Sequence, residues 1–122
     1  MCLTQDITNF LLETECPVTK GYDYLKKCIE ITCNDVRAIA CIGKDLYQRV
    51  GDEFGESTYN VEKCIRKTIE RWWPKLQNQG LFSGPRRPTN KQCIIRLAAL
   101  FKRNQIIQQS DIHITVYEKL FG

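Results

Sequence analysis

The chain has 122 residues, 43% of them hydrophobic, and a formal net charge of +4 at neutral pH, which suits one domain built round one core. No run approaches the roughly eighteen consecutive apolar residues of a membrane span, and the start lacks the basic-then-apolar layout of a secretion signal. A cytoplasmic protein with no membrane partner is therefore expected.

The charge is spread unevenly. Residues 1–35 carry three bases and six acids, residues 36–103 fourteen bases and six acids, and residues 104–122 one base and two acids. The positive excess belongs to the middle of the chain, where it suits a polyanionic partner, although a solvated basic face has the same composition.

In chain order, Thr4 to Glu13 sets Ile7, Phe10 and Leu11 on one helical face. After a turn at Cys16-Pro17, Gly21 to Ile31 does the same with Tyr24, Leu25, Cys28 and Ile31. A short helix is expected from Asp35 to Ile42. Another is expected from Lys44 to Phe54, with Leu46, Tyr47, Val50 and Phe54 on its apolar side. Gly55 ends that helix because glycine accepts the left-handed cap conformation, and the hydroxyls of Ser57 and Thr58 offer the next N-cap.

A long helix follows from about Tyr59 to Trp73, with Pro74 expected to stop it. At 100° per residue, Cys64, Ile65, Thr68, Ile69 and Trp72 all fall within about 80° of Val61. These six form the expected buried stripe. The opposite arc carries Tyr59, Asn60, Glu62, Lys63, Arg66, Lys67, Glu70, Arg71 and Trp73, a polar surface dominated by bases.

Gly80, Gly84, Pro85 and Pro88 then make a loop. A last helix opens at Pro88-Thr89 with threonine as its cap and Cys93, Ile94, Leu97, Ala98 and Phe101 as its stripe. The stretch from Arg86 to Arg103 holds six bases and no acid, and reads equally as a phosphate-contacting flank or a solvated face. Between Ser110 and Leu120 the alternation of Ile112, Ile114 and Val116 suits a strand better than a helix. A lone strand is unstable in water, so this tail is expected to pair with a second copy, giving a homodimer, or to pack on its own domain.

The expected fold is all-α, about six helices with a central helix-turn-helix over residues 1–103, and an extension with a short strand over 104–122. Seven cysteines without a C-x-x-C pair give zinc little support. Cys28, Cys64 and Cys93 occupy small apolar helix positions and read as buried thiols. His113 is the sole histidine, and no acid–base or nucleophile pattern surrounds it. Neither catalysis, a metal, a cofactor nor a small-molecule substrate is expected.

The helix, glycine turn and basic second helix have the layout of a unit that lays its second helix in the DNA major groove, although many helical pairs share it. More specific is the run Lys20-Gly21-Tyr22-Asp23-Tyr24-Leu25, then Lys44-Asp45-Leu46-Tyr47 and Phe54, then Val61 through Glu70 ending at Trp73, and later Arg87-Pro88-Thr89-Asn90. In order and spacing these residues resemble the C-terminal effector domain of the sporulation master response regulator of endospore-forming bacteria, over roughly residues 5 to 103.

The resemblance implies a six-helix transcription regulator that binds a short operator box in double-stranded DNA. In that family the effector domain follows a phosphorylated receiver. Met1 stands just ahead of the resemblance here, so phosphorylation control is not expected to carry over. Position by position, Asn60, Glu62, Lys63 and Arg66 are expected to read bases. Lys44, Ser57, Thr58, Tyr59, Lys67, Arg71, Arg87 and Lys91 are expected to contact phosphate.

Glu62 and Arg66 match the family, which usually has arginine where Asn60 and Lys63 stand and histidine at Lys67. Asparagine prefers adenine where arginine prefers guanine, a difference of about 1–3 kcal/mol in base discrimination, so a shifted operator is expected. Blander readings stand beside these. Glu62 and Arg66, four apart, also suit an exposed ion pair, and Trp72 suits the core better than a base-stacking platform. The competing function is an interaction module that pairs with a full-length regulator or RNA polymerase without reading an operator.

Overall fold

The computed structural model describes residues 3–82 and 84–103, where the apolar periodicity resolves into helices joined by loops. The elements are α1 (Leu3–Glu13), α2 (Lys20–Asn34), a 3-10 segment (Val36–Cys41), a π-helical turn (Ile42–Leu46), α3 (Tyr47–Phe54) and α4 (Thr58–Asn78). A further helix, α5, occupies 90–103. The fold is all-α as expected. The short helix expected from Asp35 to Ile42 is a 3-10 segment that runs into the π turn. Among the described residues there is no strand, and the one expected over 110–120 lies outside them, as do Cys2 and His113. No helix of the described residues is long and apolar enough to cross a membrane.

Local chemistry sets the helix ends. At the end of α1 the amides of Glu15 and Cys16 donate to the carbonyls of Leu12 and Leu11, both at 3.0 Å, and Glu15 takes the left-handed conformation with φ of 63°. This is the Schellman closure, which leaves few carbonyls of the last turn unpaired. Thr19 caps α2 by accepting from the Tyr22 amide at 3.3 Å. Thr89 caps α5 reciprocally: its hydroxyl accepts from the Gln92 amide at 3.2 Å, and Gln92 Oε1 accepts from the Thr89 amide at 3.0 Å. Such a capping box satisfies two orphan donors at once.

The core lies where α1, α2, α4 and α5 meet. Ile7, Leu11, Leu25, Ile65, Trp72, Ile94 and Leu97 are fully buried there, and Phe10 and Phe101 meet edge to face at 5.7 Å. The α5 stripe of Cys93, Ile94, Leu97, Ala98 and Phe101 is buried throughout. Two expected core positions behave otherwise: Ile31 is half-buried, and Phe54 is 43% exposed. Phe54 lies at the edge of the core with its ring against Tyr24 at 5.2 Å.

Helix α2 crosses α4 at closest approach through Gly21, where an added Cβ would lie 2.0 Å from Thr68 Oγ1 and 2.2 Å from the Cys64 carbonyl oxygen. Thr19 and Thr68 share a 2.7 Å hydrogen bond beside that crossing. Of the expected thiols, Cys28 and Cys93 are buried. Cys64 is only half-buried, because it stands at the margin of the α4 stripe where α2 passes.

Pro74 does not stop α4, which continues to Asn78. An interior proline removes one helix hydrogen bond and costs about 3 kcal/mol relative to alanine. Tertiary anchors on both sides offset this. Leu76 is fully buried, worth about 1.5–3 kcal/mol. Trp72 Nε1 and Gln79 Nε2 both donate to the Thr14 carbonyl at 2.9 Å, each adding about 1 kcal/mol.

Candidate nucleic-acid interface

The two helices of the expected unit are α3 and α4, joined through residues 55–57. Gly55 adopts φ of 69° and caps α3, its amide donating to the Gly51 carbonyl. The Glu56 amide donates to the same carbonyl at 2.8 Å. This sharp return brings Glu56 onto α3, and a Cβ on Gly51 would lie 2.4 Å from the Glu56 carbonyl oxygen. Gly51 is thus required by close approach, which a helical pattern in the sequence does not reveal. Ser57 caps α4 by accepting from the Asn60 amide at 3.1 Å.

Five of the six residues expected to anchor α4 are buried: Val61, Ile65, Thr68, Ile69 and Trp72. Their burial fixes the rotation of the helix. The opposite arc is left outward, with Tyr59, Asn60, Lys67, Glu70 and Arg71 exposed and Glu62, Lys63 and Arg66 half-buried. Lys63 Nζ sits 6.0 Å from the centre of the Tyr59 ring, a cation–π distance that aligns the two along the first turns.

The outward groups are partly paired with one another. Arg66 Nε donates to Glu62 Oε1 at 3.0 Å, the ion pair that their spacing allowed. Asn60 Nδ2 donates to Glu56 Oε2 at 3.1 Å. Among the described residues Lys67 and Arg71 carry no such partner; with Lys20 they line a hollow of about 240 Å³ between the start of α2 and α4. Lys20 was not among the expected site residues, because only the α2–α4 crossing brings it to this face.

The start of α5 is fastened to the same unit. Asn90 Nδ2 donates to the Tyr47 hydroxyl at 3.2 Å and to the Glu62 carbonyl at 3.1 Å, so the exposed Lys91 follows a residue bonded to the first turns of α4. Burial pushes the Tyr47 hydroxyl up to about 12, with the Asn90 hydrogen bond acting in the opposite direction. Arg87 pairs with Glu70.

Arg86, Arg87 and Arg96 border an open hollow of about 760 Å³ over Trp73 and Phe82, whose rings meet edge to face at 6.2 Å. Trp72 is fully buried, as its place on the apolar arc requires. Lys44 is exposed on the π turn ahead of α3, away from the α4 arc in sequence but on the same unit. Asn60, Glu62, Lys63, Arg66 and Lys67 are therefore gathered on one helix face, Tyr59 and Arg71 extend it, and Lys91 flanks it. Ser57 is engaged as a helix cap.

Compared with known families, residues 7–100 match the model described as sporulation initiation factor Spo0A C terminal.

Proposed function

The chain belongs to the sporulation initiation factor Spo0A C-terminal family, and from that premise we propose that it regulates transcription by laying the first half of α4 in the major groove of double-stranded DNA. The observation that carries this reading is the outward arc of α4. Its opposite side is locked into the core by Val61, Ile65 and Trp72, so Asn60, Glu62, Lys63 and Arg66 are presented together on a rigid element. The groove admits one α-helix, and amide, carboxylate and guanidinium groups on its first turns match base-edge donors and acceptors.

Lys67, Arg71, Tyr59 and Lys91, with Ser57 and Thr58 at the start of α4, then face phosphates on either side, and Lys44 and Arg87 extend the contact. Lys20 joins Lys67 and Arg71 on that flank. The protein acts as a non-enzymatic regulator in the cytoplasm.

A second reading takes support from the pairing of Arg66 with Glu62 and of Asn60 with Glu56, which occupies the groups that would read bases. It makes the chain a module that pairs with a full-length regulator or RNA polymerase. A mobility-shift titration on operator and random duplexes at two salt concentrations tests the two. Groove binding weakens steeply as salt rises and favours one sequence. Equal, feeble retardation of every duplex would leave the module reading.

A further inference from the structure

Away from the α4 arc, α2, the 3-10 segment and α5 enclose a groove of about 320 Å³ whose walls include Thr32, Val36, Ile39, Ile95, Ala99 and Lys102. Val36 is 60% exposed and Ile95 44%, so two large aliphatic side chains face open space on one narrow surface. The Thr32 hydroxyl oxygen is itself buried, so the groove offers an occupant aliphatic surface.

The chain itself supplies a segment of matching apolar character. Helix α5 forms one wall, with Lys102 at the rim, and residues 104–122 follow directly. Ile112, Ile114 and Val116 alternate along that segment. In extended backbone they share one face. Asp111 stands next to the triplet in sequence, matching the positive charge of Lys102 at the rim. Reach is sufficient: the eight residues 104–111 span up to about 27 Å, whereas Ile95 lies only about 10 Å back along α5 from Lys102.

We propose that residues 110–118 fold back into this groove in the same chain, with Ile112, Ile114 and Val116 against Val36, Ile39 and Ile95. Attachment through a short connection keeps the segment at an effective concentration in the millimolar range, which favours this arrangement over capture by another molecule. The proposal is independent of DNA binding, since no wall residue lies on the α4 arc.

Nuclear magnetic resonance on the intact chain tests it. Expected are cross-peaks from the methyls of Ile112 and Ile114 to those of Val36 and Ile95, and slowed amide exchange over 112–116. That protection should be lost in a Val36→Glu/Ile95→Glu variant, which alters exposed side chains. It should be lost equally in an Ile112→Glu/Ile114→Glu variant, which leaves the domain untouched and decides the matter should the first variant unfold. Unprotected amides over 112–116 in the unaltered chain, or protection that survives the tail substitutions, would overturn the proposal. Cross-peaks found only between differently labelled chains in a mixed sample would overturn it too, assigning the groove to a second copy.

Discussion

Asn90 joins two helices with one nitrogen, donating to the Tyr47 hydroxyl at the start of α3 and to the Glu62 carbonyl in α4 at 3.2 and 3.1 Å. The relative placement of α3 and α4 is thereby tied to α5, which itself starts in the Thr89–Gln92 capping box. Asn90→Ala removes both bonds and should lower stability by about 1–2 kcal/mol. Tyr47→Phe removes one and should cost less, about 0.5–1.5 kcal/mol. Urea unfolding of the two variants checks the order. Equal stability of Asn90→Ala and the unaltered chain would mean that the amide carries no such tie.

Stability should fall on the alkaline side. Burial pushes the Cys16 thiol and the Tyr47 hydroxyl up to about 12, and raises Cys28 and Cys93 as well, from ordinary values of 9.0 for thiols and 10.0 for tyrosine. All four groups favour the protonated form when folded. The unfolded chain therefore loses its protons first as pH rises, and ∂ΔG/∂pH is negative there. Their contribution is complete below about pH 9 and declines between about 9 and 12. The urea midpoint should be level from about pH 7 to about 8.5 and lower at about pH 10.5. A level midpoint across the whole range would contradict the burial of these groups.

Gly21 shows why part of the fold was hidden in the sequence. The stripe Val61, Ile65, Thr68, Ile69 and Trp72, and the caps Gly55, Ser57 and Thr89, depend on neighbours within about one turn and were legible. The Gly21–Thr68 approach joins segments far apart in the chain, and nothing local in Lys20-Gly21-Tyr22 reports it. Gly21→Ala would drive a Cβ against Thr68 Oγ1 and the Cys64 carbonyl. It should cost about 1–3 kcal/mol or more, as overpacking does. Gly43→Ala, with nothing within 4 Å of the added atom, should stay within about 0.5 kcal/mol. Thermal unfolding of the pair separates a packing requirement from a general effect of losing glycine.

The site divides along the same line. The outward arc of α4 was legible because its stripe fixes its back. Lys20, Gly51 and Asn90 were not, since each owes its place to a contact between elements. Pro74 marks the opposite error, a strong local signal overruled by the anchoring of Leu76 and Gln79. Pro74 is exposed, so Pro74→Ala restores the missing helix hydrogen bond without disturbing the core. It should raise stability by about 1–3 kcal/mol. A drop would show instead that proline relieves strain at that turn.

Arg66 and Lys67 are neighbours on α4 with different expected duties. Arg66 is half-buried and oriented by Glu62 Oε1 at 3.0 Å, so its fork is held near the centre of the outward arc. A guanidinium matches the two acceptors of guanine, whereas the ammonium of Lys67 is a point charge suited to phosphate. Arg66→Ala should weaken operator binding by about 1–3 kcal/mol and leave random DNA nearly unaffected, whereas Lys67→Ala should weaken all duplexes alike and reduce the salt slope by about one. Neither side chain belongs to the core, so both variants should unfold at the temperature of the unaltered chain. The exposed ion pair contributes only a few tenths of a kcal/mol, too little for its loss to masquerade as a folding defect. Fluorescence anisotropy with operator and random duplexes across a salt series reads both quantities. Equal losses on both duplexes for Arg66→Ala would remove base reading from α4 and leave the interaction-module reading in its place.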